Sequence, residues 1–237
     1  MRLHGSLVAA VLAAGLTAVC ASGASAASVD ISGLVNANIG TYSDGNLYPV
    51  GPTPVTIGGV DFNLAGYPGG GTGVIQTGGT DSFSIPVSLA GVTKVYTIIN
   101  SAYGTAGDTT GSLVFSDTAG DTYTYDLTEG VNVRDHFFNT FVNTAPDIYA
   151  SQNYGTGDQF STVRLDVQQI VLPAAFGSST LDNITFNGIN AGCCQGAPFL
   201  AAITTATAVP EPGAWALMLV GFGGLGWALR RRAVVAA

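Results

Sequence analysis

Acyl transfer by a hydroxyl or thiol needs a base beside the nucleophile, and beyond its first residues this chain offers one histidine for that role, His136. A Ser-His-Asp constellation would have to be built on it. His136 lies in Arg134-Asp135-His136-Phe137-Phe138, where opposite charges and an imidazole beside two phenylalanines read first as a strand-end ion pair over a core contact. Glycoside hydrolysis needs two carboxyl groups, one with a raised pKa. Glu129 is the one glutamate between residues 27 and 208. Most aspartates flank Gly, Thr, Ser or Asn, which is turn chemistry. With His4 and His136 the only histidines, a zinc site lacks ligands. These residues favour a protein without catalysis.

Binding chemistry leaves other traces. Sugar sites use flat aromatic rings with amide and carboxylate hydrogen bonds. Trp215 and Trp227 both lie near the C-terminus, so tyrosines must serve. Tyr42, Tyr48 and Tyr67 fall in Gly/Pro-rich loops and Tyr103 near a strand end, which makes these four the candidate ligand contacts. A structural calcium ion would need roughly six to eight oxygens, and Asp117 with Asp121, or Asp44 with Asn46, are the candidate carboxylate and amide donors. No other cofactor is expected. Cys193 and Cys194 are adjacent and either close a vicinal disulfide in an oxidising compartment or remain thiols.

The elements that position these groups are strands. Gly, Thr, Ser, Asn and Asp dominate the middle of the chain, and its apolar residues alternate in short bursts, so the fold class is all-β. Strands are expected over 55–64, 82–89, 93–100, 111–116, 122–128, 163–172, 181–187 and 198–204. Asp117-Thr118-Ala119-Gly120-Asp121 joins two of them as a hairpin turn, with Gly120 at the position of positive φ. Val163, Leu165 and Val167 alternate with polar residues, but the apolar set resumes at Ile170 and Leu172. That slip predicts a bulge near Gln168 and Gln169. About eight strands suit a two-sheet sandwich.

The ends are of another kind. Met1 and Arg2, an apolar run from Leu7 to Val19 and the small-x-small triplet Ala24-Ser25-Ala26 form a secretory signal over 1–26. Signal peptidase is thus a partner. Between residues 27 and 208 stand three basic and fourteen acidic residues, a net charge of −11. Such a surface repels phosphate backbones, which excludes nucleic acid. Residues 209–237 change character: Pro210-Glu211-Pro212, an uncharged run over 213–229, then Arg230, Arg231 and Arg232. As a helix that run spans about 25 Å, short for a bilayer, with the arginines as a cytoplasmic stop.

A Pro-Glu-Pro triad, two spacer residues, Trp215-Ala216, a Gly-Phe-Gly core and an arginine cluster in this order resemble the PEP-CTERM sorting signal. The resemblance implies that exosortase is a partner, cleaving near the triad after the C-terminal transmembrane helix has held the chain in the inner membrane. It also implies a Gram-negative source, a final place at the cell surface or in the extracellular matrix, and a role with biofilm exopolysaccharide. In the middle, Val95 to Gly104, Gly111 to Phe115 and Glu129 to His136 look similar to galactose-binding-like jelly-roll modules. That likeness implies a jelly-roll-like β-sandwich over 27–208, flanked by the signal peptide and the transmembrane helix. The expected function is a non-catalytic glycan-binding or matrix-organising module. The alternatives are a glycan-active hydrolase and a structural surface protein with no small ligand.

Overall fold

Branched and aromatic residues alternating with Ser, Thr and Asn satisfy a pleated surface better than a helix, and the described chain obeys that rule almost throughout. The structure is a computed structural model that describes residues 26–42, 47–138, 141–156, 161–189, 196–207 and 220–222. Its strands are β1 (Ala26–Val29), β2 (Ala37–Asn38), β3 (Thr53–Ile57), β4 (Val60–Gly66), β5 (Thr72–Gln76), β6 (Ser82–Ala90) and β7 (Val92–Ala102). After them come β8 (Thr109–Asp117), β9 (Thr122–Thr128), β10 (Ala150–Gly155), β11 (Thr162–Val171), β12 (Thr180–Gly188) and β13 (Ala197–Thr207). Short 3-10 turns cover Ser32–Leu34, Ile39–Tyr42 and Ala174–Ser178.

These strands make two antiparallel sheets within one compact unit, Ala24–Val209. The larger runs β10-β11-β7-β13-β5-β4-β3, with β1 added on β13 and β2 on β5; the smaller runs β6-β12-β8-β9. The expected all-β sandwich is what forms. Ile85, Leu113, Phe115, Leu127, Ile184 and Phe186 of the smaller sheet pack against Val95, Ile99, Ile170, Leu200 and Ile203 of the larger. A second core on the larger sheet's other face gathers Ile57, Phe62, Leu64, Ile98, Val163, Leu165, Val167 and Phe199 with Tyr48.

Two expectations change. Residues 55–64 form a hairpin, β3 and β4, because Gly58 and Gly59 at φ +62° and +79° make the two-residue turn. No bulge interrupts β11 at Gln168 and Gln169, where pairing with β7 stays continuous from Val167↔Ile98 to Val171↔Lys94. The apolar phase slips because β11 is covered on both faces. Val163, Leu165 and Val167 enter one core, and Ile170 and Leu172 enter the other. Gln168, fully buried between them, bonds Thr97 Oγ1 and the main chain of Ile99 and Asn132.

The hairpin of β8 and β9 turns as expected, with Gly120 at φ +94°. The secretory segment up to residue 25, Cys193 and Cys194, Asp44 and Asn46, the Pro210-Glu211-Pro212 triad and Arg230 to Arg232 lie outside the described residues. So does the expected membrane span over 213–229, save 220–222; no described helix is long and apolar enough to cross a membrane.

Candidate functional site

The ladder between β7 and β11 ends at Ile98 and Val167, and beyond it the two strands part. Residues Asp135–Phe137 fill the gap. Asp135 bridges Ser101 and Phe137 bridges Val163, while the His136 N–H donates to Ser101 O at 2.9 Å and the Arg164 N–H donates to His136 O at 2.9 Å. A short irregular piece of chain thus substitutes for a strand and brings its side chains to one place.

Two arginines hold that piece down. Arg134 grips Asp166 of β11 with two hydrogen bonds, Nε to Oδ2 at 2.7 Å and Nη2 to Oδ1 at 2.9 Å. Asp166 is fully buried and also accepts from Asn100 Nδ2 at 2.9 Å. Arg164 donates to the carbonyl of Phe137 and to Asn143 Oδ1, and its guanidinium sits 5.1 Å from the centre of the Phe138 ring. The ion pair expected within Arg134-Asp135 is therefore made across to β11 instead. Asp135 is engaged elsewhere: Oδ2 accepts the Tyr103 N–H and Oδ1 the Phe137 N–H, each at 2.7 Å.

Above this segment opens a pocket of about 220 Å3 lined by Tyr42, Gln76, Ala102, Tyr103, Asp135, His136, Phe137 and Phe141. The rings of Tyr103 and Phe141 meet edge to face at 5.0 Å and both are exposed. Tyr103 holds φ +68°, a conformation that a bulky side chain seldom adopts and that costs on the order of 1–2 kcal/mol. Its bond to Asp135 keeps it there. Across the pocket the Tyr42 hydroxyl donates to Gln76 Oε1.

The floor carries one acidic group, Asp135, beside a neutral imidazole. Burial, helped by Arg164, pushes the His136 pKa down to about 3, so the imidazole is neutral. Burial holds the Tyr48 hydroxyl well above its usual range and therefore protonated. That hydroxyl lies 2.7 Å from His136 Nδ1; as a donor it places the remaining ring proton on Nε2. Burial also raises Asp135 to about 6, against the two main-chain donors that favour its anion.

Behind the pocket wall is Glu129, fully buried, with neither carboxylate oxygen in a hydrogen bond among the described residues. Burial lifts its pKa to about 7. A Cβ added at Gly104 would come within 2.6 Å of its carboxyl carbon, and one at Gly196 within 2.7 Å of Oε1.

Of the four candidate tyrosines, Tyr42 and Tyr103 line the pocket. Tyr48 is buried beneath His136, and Tyr67 sits half-buried in a turn closed by the Gly70 N–H on its carbonyl at 2.9 Å. Asp117 spends its carboxylate on its own turn, accepting from the Ala119 and Asp121 N–H groups at 3.0 and 2.8 Å and from Ser179 Oγ. Among the described residues no group of three or more His, Cys, Asp or Glu is arranged to hold a metal. Gln76, Phe137 and Phe141 are site residues that sequence spacing missed, because their convergence needs the parting of β7 and β11.

The arrangement positions rings, an amide, an imidazole and a carboxylate around a small cavity, which is binding chemistry. His136 Nδ1 faces the hydroxyl of Tyr48, which is itself buried, rather than a serine or cysteine.

Residues 208–232 match the family model of the PEP-CTERM protein-sorting motif. A comparison with curated proteins finds no match. The chain therefore carries the sorting motif that its C-terminal residues resemble, and is an exported surface protein processed by exosortase at the membrane.

Proposed function

We propose that the domain built from β1 to β13 is a non-catalytic module that binds a neutral surface polysaccharide, taking one sugar ring in the pocket between Tyr103 and Gln76. The observation that carries this reading is the pairing of two exposed rings, Tyr103 and Phe141, with the polar groups of Gln76, His136 and Asp135 lining the same pocket. Aromatic edges and faces cover the C–H surface of a sugar, and Gln76, His136 and Asp135 supply donors and acceptors for its hydroxyls. At about 220 Å3 the pocket is smaller than the roughly 300–1,000 Å3 of drug-sized sites, which suits one ring of a longer chain rather than a whole oligomer.

Charge narrows the class. Arg134 and Arg164, the two cations nearest the pocket floor, are committed to Asp166, Phe137 and Asn143, so neither is free to pair with a uronate or phosphate. The net charge of −11 between residues 27 and 208 repels anionic glycans further. In a Gram-negative biofilm the partner would be a neutral exopolysaccharide.

A glycan panel and a reducing-end hydrolysis assay on the mature protein test this. Binding to neutral glycans without turnover, lost in Tyr103→Ala, is expected. Turnover would make the protein a glycan-active hydrolase, and silence on every glycan would make it a structural surface protein.

A further inference from the structure

β7 ends at Ala102, and the chain leaves it through two successive residues at positive φ, Tyr103 at +68° and Gly104 at +119°. Glycine takes such a turn freely; tyrosine does not. Asp135 holds Tyr103 there, its Oδ2 accepting the Tyr103 N–H and its Oδ1 the Phe137 N–H, each at 2.7 Å. A second contact is weak, Ser101 Oγ donating to the Tyr103 carbonyl at 3.3 Å. One carboxylate thus fixes both the exposed ring that walls the pocket and the Phe137 that lines it.

The backbone that carries Asp135 does not depend on its charge. The Ser101 N–H donates to Arg134 O at 3.0 Å and the His136 N–H to Ser101 O at 2.9 Å, while the Arg134 side chain is spent on Asp166. Past Gly104 the loop is pinned again, by the Gly107 N–H on Glu129 O at 2.8 Å. What a change of charge at Asp135 can release is the turn at Tyr103 and Gly104.

We propose that Asp135 is an acid-sensitive latch on the pocket: as an anion it keeps the Tyr103 ring against Phe141, and on taking up a proton it frees the ring and releases a bound glycan. Release of a glycan rests on the function proposed for this pocket; the motion of Tyr103 does not. A hydrogen bond to a carboxylate is roughly twice as strong as one to a neutral acceptor, and a protonated carboxyl has one oxygen occupied by its own proton. The Tyr103 and Phe137 N–H groups then lose the acceptor that outweighs the strain, and Tyr103 returns to the negative φ that its Cβ favours.

The groups facing Asp135 set where this happens. Burial opposes the anion, the two N–H donors and Arg164 favour it, and burial prevails, leaving the group at about 6. On the inner side His136 gains a proton only at about 3, and burial keeps the Tyr48 and Tyr42 hydroxyls protonated. Behind the wall Glu129, which has Asp135 and Asp108 as acidic neighbours, takes its proton first, at about 7. Tyr42, Tyr48 and His136 therefore keep their charge between about pH 7.5 and about pH 5, and Asp135 does not.

The test titrates the mature protein. In amide NMR spectra the Tyr103 and Phe137 resonances should move together, with one midpoint at about 6. The ionised fraction falls to about a tenth at about pH 5, so calorimetry with the neutral glycan that binds best in the panel should show about tenfold weaker affinity there than at about pH 7.5. Asp135→Asn should bind weakly and without pH dependence over that range. Glu129→Gln should keep the wild-type profile, which separates the latch from the buried acid behind it. A Tyr103 amide that stays still, an affinity indifferent to pH, a pH response retained in Asp135→Asn or one lost in Glu129→Gln overturns the proposal. Amides that titrate in a protein binding no glycan at any pH would uphold the motion of Tyr103 and remove the glycan reading instead.

Discussion

The Tyr48 hydroxyl and His136 Nδ1 are 2.7 Å apart in a box closed by Phe137 and Phe199, whose rings lie 4.2 and 5.5 Å from the imidazole. Tyr48→Phe leaves a buried nitrogen without its donor and should cost about 1–3 kcal/mol, read as a lower midpoint in urea with an unchanged m-value. The same burial gives His136 an acid dependence. Its folded pKa of about 3 lies below the unfolded 6.5, so the unfolded chain binds the extra proton between those values. This contribution is whole above pH 6.5 and declines as pH falls toward 3. His136→Gln should flatten that part of the stability curve; a wild-type slope retained in the variant would assign it elsewhere.

Glu129 has the opposite sign. Its folded pKa of about 7 exceeds the ordinary value of 4.5, so the folded state holds the proton longer and stability falls as pH rises from 4.5 to 7. Asp135, raised to about 6, adds to the same decline. Glu129→Gln keeps the shape without the charge and should stabilise the domain at about pH 8 by on the order of 2–3 kcal/mol, with little effect at about pH 4.5. Thermal melts at the two pH values check this, and equal shifts at both would refute it.

Tyr103 separates stability from binding. In Tyr103→Gly, relief of the φ +68° conformation roughly offsets the lost ring contact with Phe141, so stability should hold within about 1 kcal/mol. Affinity for a neutral glycan should fall about tenfold, roughly 1.4 kcal/mol. Calorimetry against the best glycan of the panel, beside a melt of the same sample, reads both quantities.

Replacing Pro210, Glu211 and Pro212 with alanine should leave the chain full length and in the membrane fraction. Fractionation and immunoblotting decide it. A processed product in normal amount would show that the triad is dispensable.

The β character is legible because alternation needs only local sequence: Thr122 to Thr128 reads as a half-buried strand and is one. What misleads is alternation's premise that one face meets solvent. β11 has a core on each side, so its apolar residues change face at Gln168 without a bulge. The hairpin at Gly58-Gly59 reads as one strand because the apolar burst continues through the turn. In the pocket, Tyr42 and Tyr103 can be named from loop composition. Gln76 and Phe141 cannot, since they are 65 residues apart in sequence and meet only where Asp135–Phe137 replaces a strand between β7 and β11.

The pairing of the first exported strand with β13, Ala27↔Thr205 to Val29↔Ile203, has a mechanical side. A surface protein held through its C-terminal end and pulled through a bound polysaccharide would carry the load along β13. That strand lies lengthwise in ladders with β7 and β1, so the pull shears many hydrogen bonds together rather than peeling them one at a time. The strand that finishes the fold is then also the strand that bears the tension.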